Sequence, residues 1–167
     1  IYYIELSMFR TKIHHTDQNG RFSETIYYDS LNETNIIVLA PHGGQVEPNT
    51  EQISQLLRQQ LATQTATEVG LWYTTGISNG SFNNAFNRWH TTNKTHSVTD
   101  FPLYKQLTES SYTLAIAFHL MSKEGIIIGG QSDRGVKKSL QSKLQRQFPN
   151  QQIKIGTKGS QLAGFNP

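Results

Sequence analysis

The stretch NIIVLAP, residues 35–41, constrains this chain most. It is a continuous apolar run that ends at a proline, far shorter than a membrane span. A run of this kind reads as a strand buried on both faces, which requires a sheet with helices packed over it. An amphipathic pattern follows at once. Asn49 or Thr50 offers a helix cap, and Ile53, Leu56, Leu57 and Leu61 then fall at i, i+3, i+4 and i+8 on one face. The alternation recurs downstream. EVGLWYTT (68–75), SYTLAIAFHL (111–120), GIIIGG (125–130) and QQIKIGT (151–157) read as further strands. TDFPLYKQLTES (99–110) reads as a short capped helix with Pro102 in its first turn. Ser132 or Asp133 opens another helix, with Val136, Leu140 and Leu144 on one stripe. Residues 1–8 and 24–30 are also expected as strands. Residues 11–24 read as a polar segment with an Asn-Gly turn signal, and 76–87 as loop over much of its length. The expected fold is α/β: one domain over 1–167, with a mixed, mostly parallel sheet covered by helices.

The bulk properties narrow the partners. A chain of 167 residues suits one domain with a real core, and neither an internal repeat nor a long linker divides it. Its net charge of +3 and pI near 9.2 weakly favour an anionic partner. There is no block of Lys/Arg and no basic stripe with stacking aromatics, so nucleic acid is not expected as a partner, and neither is a membrane. The chain has no cysteine, which excludes disulfides and thiolate metal sites. A start at Ile1 reads as a processed or truncated N-terminus without a signal peptide.

Parallel sheets of this type bind ligands just beyond the carboxyl ends of their strands. His42 stands there after 35–41, and His119 at the end of 111–120. Glu47 follows His42 across a turn in which Gly43 and Gly44 remove side-chain bulk. Two histidines and a glutamate are the kind of set that a catalytic zinc takes, with an open position left for water. The plainer alternatives are a Glu47 that only complements a helix dipole and a His119 that only donates to a core carbonyl.

The stretch APHGGQVEPNTEQI resembles the His-Gly-Gly-x-x-Glu-x-x-Thr signature of the poly-γ-glutamate hydrolase family. These are zinc enzymes of bacteria and their phages, related in fold to the zinc carboxypeptidases (phosphorylase/hydrolase-like). NRWHTT (87–92), LAIAFHL (114–120) and EGIIIGGQSD (124–133) resemble further family segments in the same order, so the similarity covers roughly 25–167. The resemblance implies Zn2+ held by His42, Glu47 and His119, and poly-γ-glutamate as the polyanionic substrate. It also implies that Asn87 and Arg88 hold a substrate carboxylate, a task suited to a guanidinium fork. The alternative for Arg88 is a solvated loop residue. His90 is expected either to polarise the scissile carbonyl or to orient a ligand. His96 reads as surface. Adjacent His14 and His15 read as loop residues that point different ways, and Trp72 and Trp89 as packing.

Zinc hydrolysis also needs a carboxylate to take a proton from the attacking water. In the family that glutamate lies on a late strand resembling Gln-Leu-Glu-Leu-Ser, whereas this chain stops at QLAGFNP. YYIELSMFR (2–10) resembles the absent strand, with Glu5 in the glutamate position. Either the family's last strand is permuted to residues 1–10, or the base is absent from this chain. Termini that lie close together permit permutation. The resulting expectation is a zinc hydrolase of γ-glutamyl amides with Glu5 as general base, acting outside the cell or carried by a phage. Its alternatives are a zinc amidohydrolase or carboxypeptidase for small acyl-glutamates or cell-wall peptides, and a catalytically dead polyanion-binding module.

Overall fold

A computed structural model describes residues 8–28, 35–80, 82–90, 100–122 and 124–156. They belong to two compact units, one ending at Leu120 and one beginning at Met121. In chain order the first unit contains β1 (Met8–Asp17), β2 (Gly20–Tyr28), β3 (Ile36–Gly44), α1 (Thr50–Thr65), β4 (Val69–Ser78), α2 (Phe82–Trp89), α3 (Pro102–Thr108) and β5 (Leu114–Ala117). Its five strands form one mixed sheet in the order β1-β2-β4-β3-β5. β3 runs parallel to both β4 and β5 and is largely buried on both faces. β2 pairs antiparallel with β1 and β4. The architecture is thus α/β with a mixed sheet and no closed barrel, as the strand–helix alternation predicts.

Period-2 alternation splits the core between the two sheet faces. Phe22, Ile26, Ile37 and Trp72 pack with Phe101 and Leu107 around α3. Tyr27, Val38, Val69 and Leu71 pack on the other face beneath Leu57, Leu61 and Ala62 of α1. The orientation of α1 departs from its sequence pattern. Leu57 and Leu61 face the sheet, but Ile53 is 45% and Leu56 60% exposed, while Thr50, Glu51 and Ser54 are buried. Ser54 is small enough to approach β3 and donate to the Leu39 carbonyl, which turns the helix toward its polar edge.

Two segments expected as irregular are regular. Most of 11–24 belongs to the β1–β2 hairpin, which turns at Gln18-Asn19 and enters β2 at Gly20. β1 is an edge strand, so its Thr11, Lys12, His14 and Thr16 need no second covered face. Within 76–87, β4 continues to Ser78 and α2 begins at Phe82. Ala85 is fully buried and Trp89 packs against Gly76, where a Cβ would lie 2.8 Å from the Trp89 Cβ. These contacts overcome the turn preference of the Asn- and Ser-rich sequence.

The second unit contains β6 (Ile126–Ile128), α4 (Arg134–Gln147) and β7 (Ile153–Ile155), with β6 and β7 parallel. Asp133 caps α4 by accepting from the Gly135 N–H at 2.6 Å, as expected. The expected Val136/Leu140 stripe is largely exposed. Lys137 is buried instead, its Nζ donating to the Gly130 carbonyl at 2.9 Å.

Candidate metal centre

The centre begins where β3 stops being a regular strand. Its register with β4 shifts between Ala40 and Gly43, around a proline that has no N–H to donate. The freed Pro41 carbonyl accepts from Thr74 Oγ1 at 2.6 Å. Gly43 presses on β4 so closely that a Cβ would sit 2.4 Å from the Thr74 carbonyl oxygen, and Gly44 takes φ +74°. The two glycines therefore have separate jobs, close approach and a left-handed turn. The Glu47 N–H donates to the His42 carbonyl at 2.7 Å and closes the loop. Asn49 enters α1 in the left-handed region without a side-chain cap, while Thr50 Oγ1 donates to the Glu47 carbonyl at 2.8 Å.

This turn brings two predicted ligands together. His42 Nδ1 lies 3.0 Å from Glu47 Oε1, with both residues buried. β5, parallel to β3, ends at Ala117 and delivers the third: His119 Nδ1 is 3.4 Å from Glu47 Oε2. The Leu120 N–H donates to the same Oε2 at 3.0 Å. Each carboxylate oxygen therefore faces one imidazole. Burial pushes the Glu47 carboxyl up, but bonds from His119 and His42, the nearby charge of His42 and the Leu120 N–H outweigh it and hold the group at about 2. An anionic carboxylate among imidazoles is a set that a divalent cation would complete.

A fourth residue joins them. His90 directly follows α2, and its N–H donates to the Phe86 carbonyl at 3.0 Å. Its ring stacks on Phe86 and approaches His42 with centroids 4.4 Å apart. Among the described residues, the ligand atoms of His42, Glu47 and His90 all lie within 4.8 Å of one another, a group that could hold a metal ion. Burial lowers the His90 pKa, the nearby His42 and His119 lower it further, and Glu47 pulls it up. His119 stands beside this trio, its side chain half exposed and its ring centroid 5.1 Å from that of His42.

The remaining sequence-predicted residues fall elsewhere. Arg88 lies in the last turn of α2 and pairs with Asp17 at the end of β1. The same nitrogen is 3.2 Å from His15 Nε2, and the guanidinium lies over the Trp89 ring. These side-chain bonds from Arg88 and His15 hold the Asp17 carboxyl well below the usual carboxylate range. Asn87 and Arg88 both line a polar cleft of about 440 Å³. Glu5 and His96 lie outside the described residues.

His14 and His15 are strand residues rather than loop residues. A bulge between Ile13 and His15 defeats ordinary alternation, so both rings reach the aromatic cluster: His14 meets Phe22 and Phe101, and His15 meets Trp89. Trp72 and Trp89 pack as expected. Trp72 is 2% exposed, and Trp89 stacks flat on Phe22.

Sequence reasoning missed Glu24. It is fully buried in β2 between Phe22 and Ile26. Its carboxylate accepts from Trp72 Nε1 at 3.0 Å and from the Leu103 and Tyr104 N–H groups at 3.1 Å each. Glu24 thus caps α3 from another element, meeting donors that the helix leaves unpaired. His14 Nε2 lies 3.1 Å from Oε1, although it is not aligned for a hydrogen bond. No local signal marks such a residue, because an acid in a strand normally reads as solvent-facing.

Residues 11–167 match the sequence model of a family described as poly-gamma-glutamate hydrolase. No curated protein and no solved structure matches the chain.

Proposed function

Because the chain belongs to the poly-γ-glutamate hydrolase family, we propose that it cleaves the γ-linked amides of poly-γ-glutamate as a zinc enzyme. The observation that most supports zinc is the Glu47 carboxylate, with His42 on one oxygen and His119 on the other. In this reading His42, Glu47 and His119 hold the ion. When bound, zinc supplies a Lewis acid and acidifies its water to a pKa of about 7. In the same reading His90, whose ring lies beside that of His42, orients the site or meets the scissile carbonyl. Glu5 serves as general base and then protonates the leaving amine. Asn87 and Arg88 take a substrate carboxylate, and Asp17 fixes the guanidinium in advance. The net positive charge draws the polyanion in. Such a polymer is met outside the cell, so a secreted or phage-borne enzyme fits the task.

The test is to incubate the purified chain with poly-γ-glutamate and follow polymer length on a gel, with and without a zinc chelator. Shortening that the chelator stops is the expected result. An intact polymer beside a zinc-loaded protein would refute the hydrolase reading.

A further inference from the structure

Charge is divided unevenly along this chain. Residues 1–120 carry seven Lys/Arg against ten Asp/Glu, whereas residues 121–167 carry eight against two. The second unit is therefore basic and the first acidic, a division that the net charge of +3 conceals. α4 concentrates the excess. Arg134, Lys137, Lys138, Lys143 and Arg146 stand among its 14 residues with no acid between them. At about 100° per residue, Lys137, Gln141 and Leu144 form the covered side of the helix. Arg134, Lys138, Lys143 and Arg146 fan across the other half, and all four are exposed. Among the described residues none of these four takes part in an ion pair. The nearest acid, Asp133, is engaged by the Gly135 N–H. Val136 and Leu140, also exposed, border the cationic arc.

Fold stability does not account for this arrangement. Lys143 and Arg146 complement the C-terminal end of the helix dipole, but Arg134 in the first turn opposes it. Arg134 and Lys138, four apart, repel each other across one turn. A bound anion would relieve both effects.

The spacing fits one kind of polyanion. Arg134 and Lys138 are about 6 Å apart along the axis, and Arg134 and Arg146 about 18 Å. A γ-glutamyl unit bears one carboxylate and advances an extended chain by roughly 6 Å, the reach of its five backbone bonds. Two of its backbone carbons are methylenes, which exposed Val136 and Leu140 can meet. Duplex DNA repeats its phosphates at about 3.4 Å along each strand, near half this spacing, and α4 carries no aromatic ring on which a single strand could stack. Two exposed aliphatic side chains are too few for the apolar face of a membrane-surface helix.

We infer that the outer face of α4 is an exosite for poly-γ-glutamate, which holds about three consecutive units through Arg134, Lys138, Lys143 and Arg146. The identity of the ligand rests on the hydrolase reading. The exosite contributes affinity for long chains and does not touch the bond that is cut.

Two triple variants of equal charge change separate a local site from net charge. One is Arg134→Gln/Lys138→Gln/Arg146→Gln. The other is Lys12→Gln/Arg21→Gln/Lys105→Gln, three exposed cations of the first unit. Binding of labelled long poly-γ-glutamate to the full chain is measured by fluorescence titration, with a chelator present to keep the polymer intact and thermal melts to confirm folding. The α4 triple should weaken binding about ten-fold, as three exposed charge contacts do together, and flatten its salt dependence. The first-unit triple should weaken it about two-fold or less, because distant exposed charges are screened. Arg134→Lys/Lys138→Arg/Arg146→Lys should bind as the parent does. Equal losses in the two triples, unchanged affinity in the α4 triple, or no polymer binding by the parent would each overturn the exosite. Tighter binding of a deoxythymidine oligomer or of phosphatidylserine vesicles, lost in the α4 triple, would overturn the polymer as its occupant. Cleavage by the zinc-loaded protein is followed separately, where the α4 triple should raise KM and leave kcat unchanged. Cleavage with KM unmoved overturns the exosite alone, whereas binding without cleavage overturns the hydrolase reading alone.

Discussion

Replacing Glu24 by alanine should destabilise the protein by about 3–5 kcal/mol, the range for removing one partner of a buried charged network. The figure is built from contacts. The carboxylate accepts from Trp72 Nε1, Leu103 N and Tyr104 N, and the side chain is fully buried. Each bond to a charged acceptor contributes roughly 1.5–3 kcal/mol, and the backbone donors of α3 recover part of this by meeting water. Urea unfolding of the parent and of Glu24→Ala gives the difference directly, and the melting point should fall by about 6–20 °C. Amide exchange supplies a local readout: protection at Leu103 and Tyr104 should fall more than protection in β3. Glu109→Ala, exposed at the end of the same helix, should stay within about 0.5 kcal/mol. A loss below about 1 kcal/mol for Glu24→Ala would refute the account of Glu24 as the cap of α3.

Further outcomes concern the centre. His42→Ala and His119→Ala should each abolish stoichiometric zinc by elemental analysis, while His90→Ala retains it; zinc lost only with His90 would make His90 the third ligand. Glu5→Gln should cut the turnover of an active parent by about 10²–10⁴, as loss of a general base does, and full activity would remove Glu5 from the site. Arg88→Ala should raise KM for the polymer by about ten-fold through loss of a charge-assisted bond, and unchanged kinetics would return it to a role in bracing the hairpin. The Glu47 carboxyl is lowered from 4.5 to about 2, so its share of metal-free stability is complete above pH 4.5 and disappears as the pH falls through 2. Acid titrations of apo parent and Glu47→Gln should therefore converge at the low end, and parallel curves would contradict this.

What could be read from the sequence follows from how local each signal is. β3 carries its burial in one uninterrupted run, and His42 and Glu47 lie five residues apart across a Gly-Gly turn. β1 was obscured because an edge strand tolerates polar residues on both faces, and its bulge reorients two adjacent histidines. α2 was hidden by turn-forming residues that tertiary contacts at Ala85 and Trp89 override. The orientation of α1 was misjudged because leucine spacing takes no account of Ser54, whose small size sets the approach to β3. The Asp17–Arg88 pair joins residues 71 apart, a separation beyond any pattern of spacing.

The parallel pairing of β3 with β5 also bears on the order in which the centre assembles. The His42–Glu47 half closes across five residues, a loop that forms in well under a microsecond. The Leu120 N–H must travel across 73 residues to reach Glu47, and strand pairings of such high contact order form late. On the proposed zinc reading, a nascent chain would carry the His42–Glu47 half of the centre long before His119 arrives. On the same reading, tight metal capture would await completion of the sheet, and metal supplied during refolding should slow unfolding far more than it speeds folding.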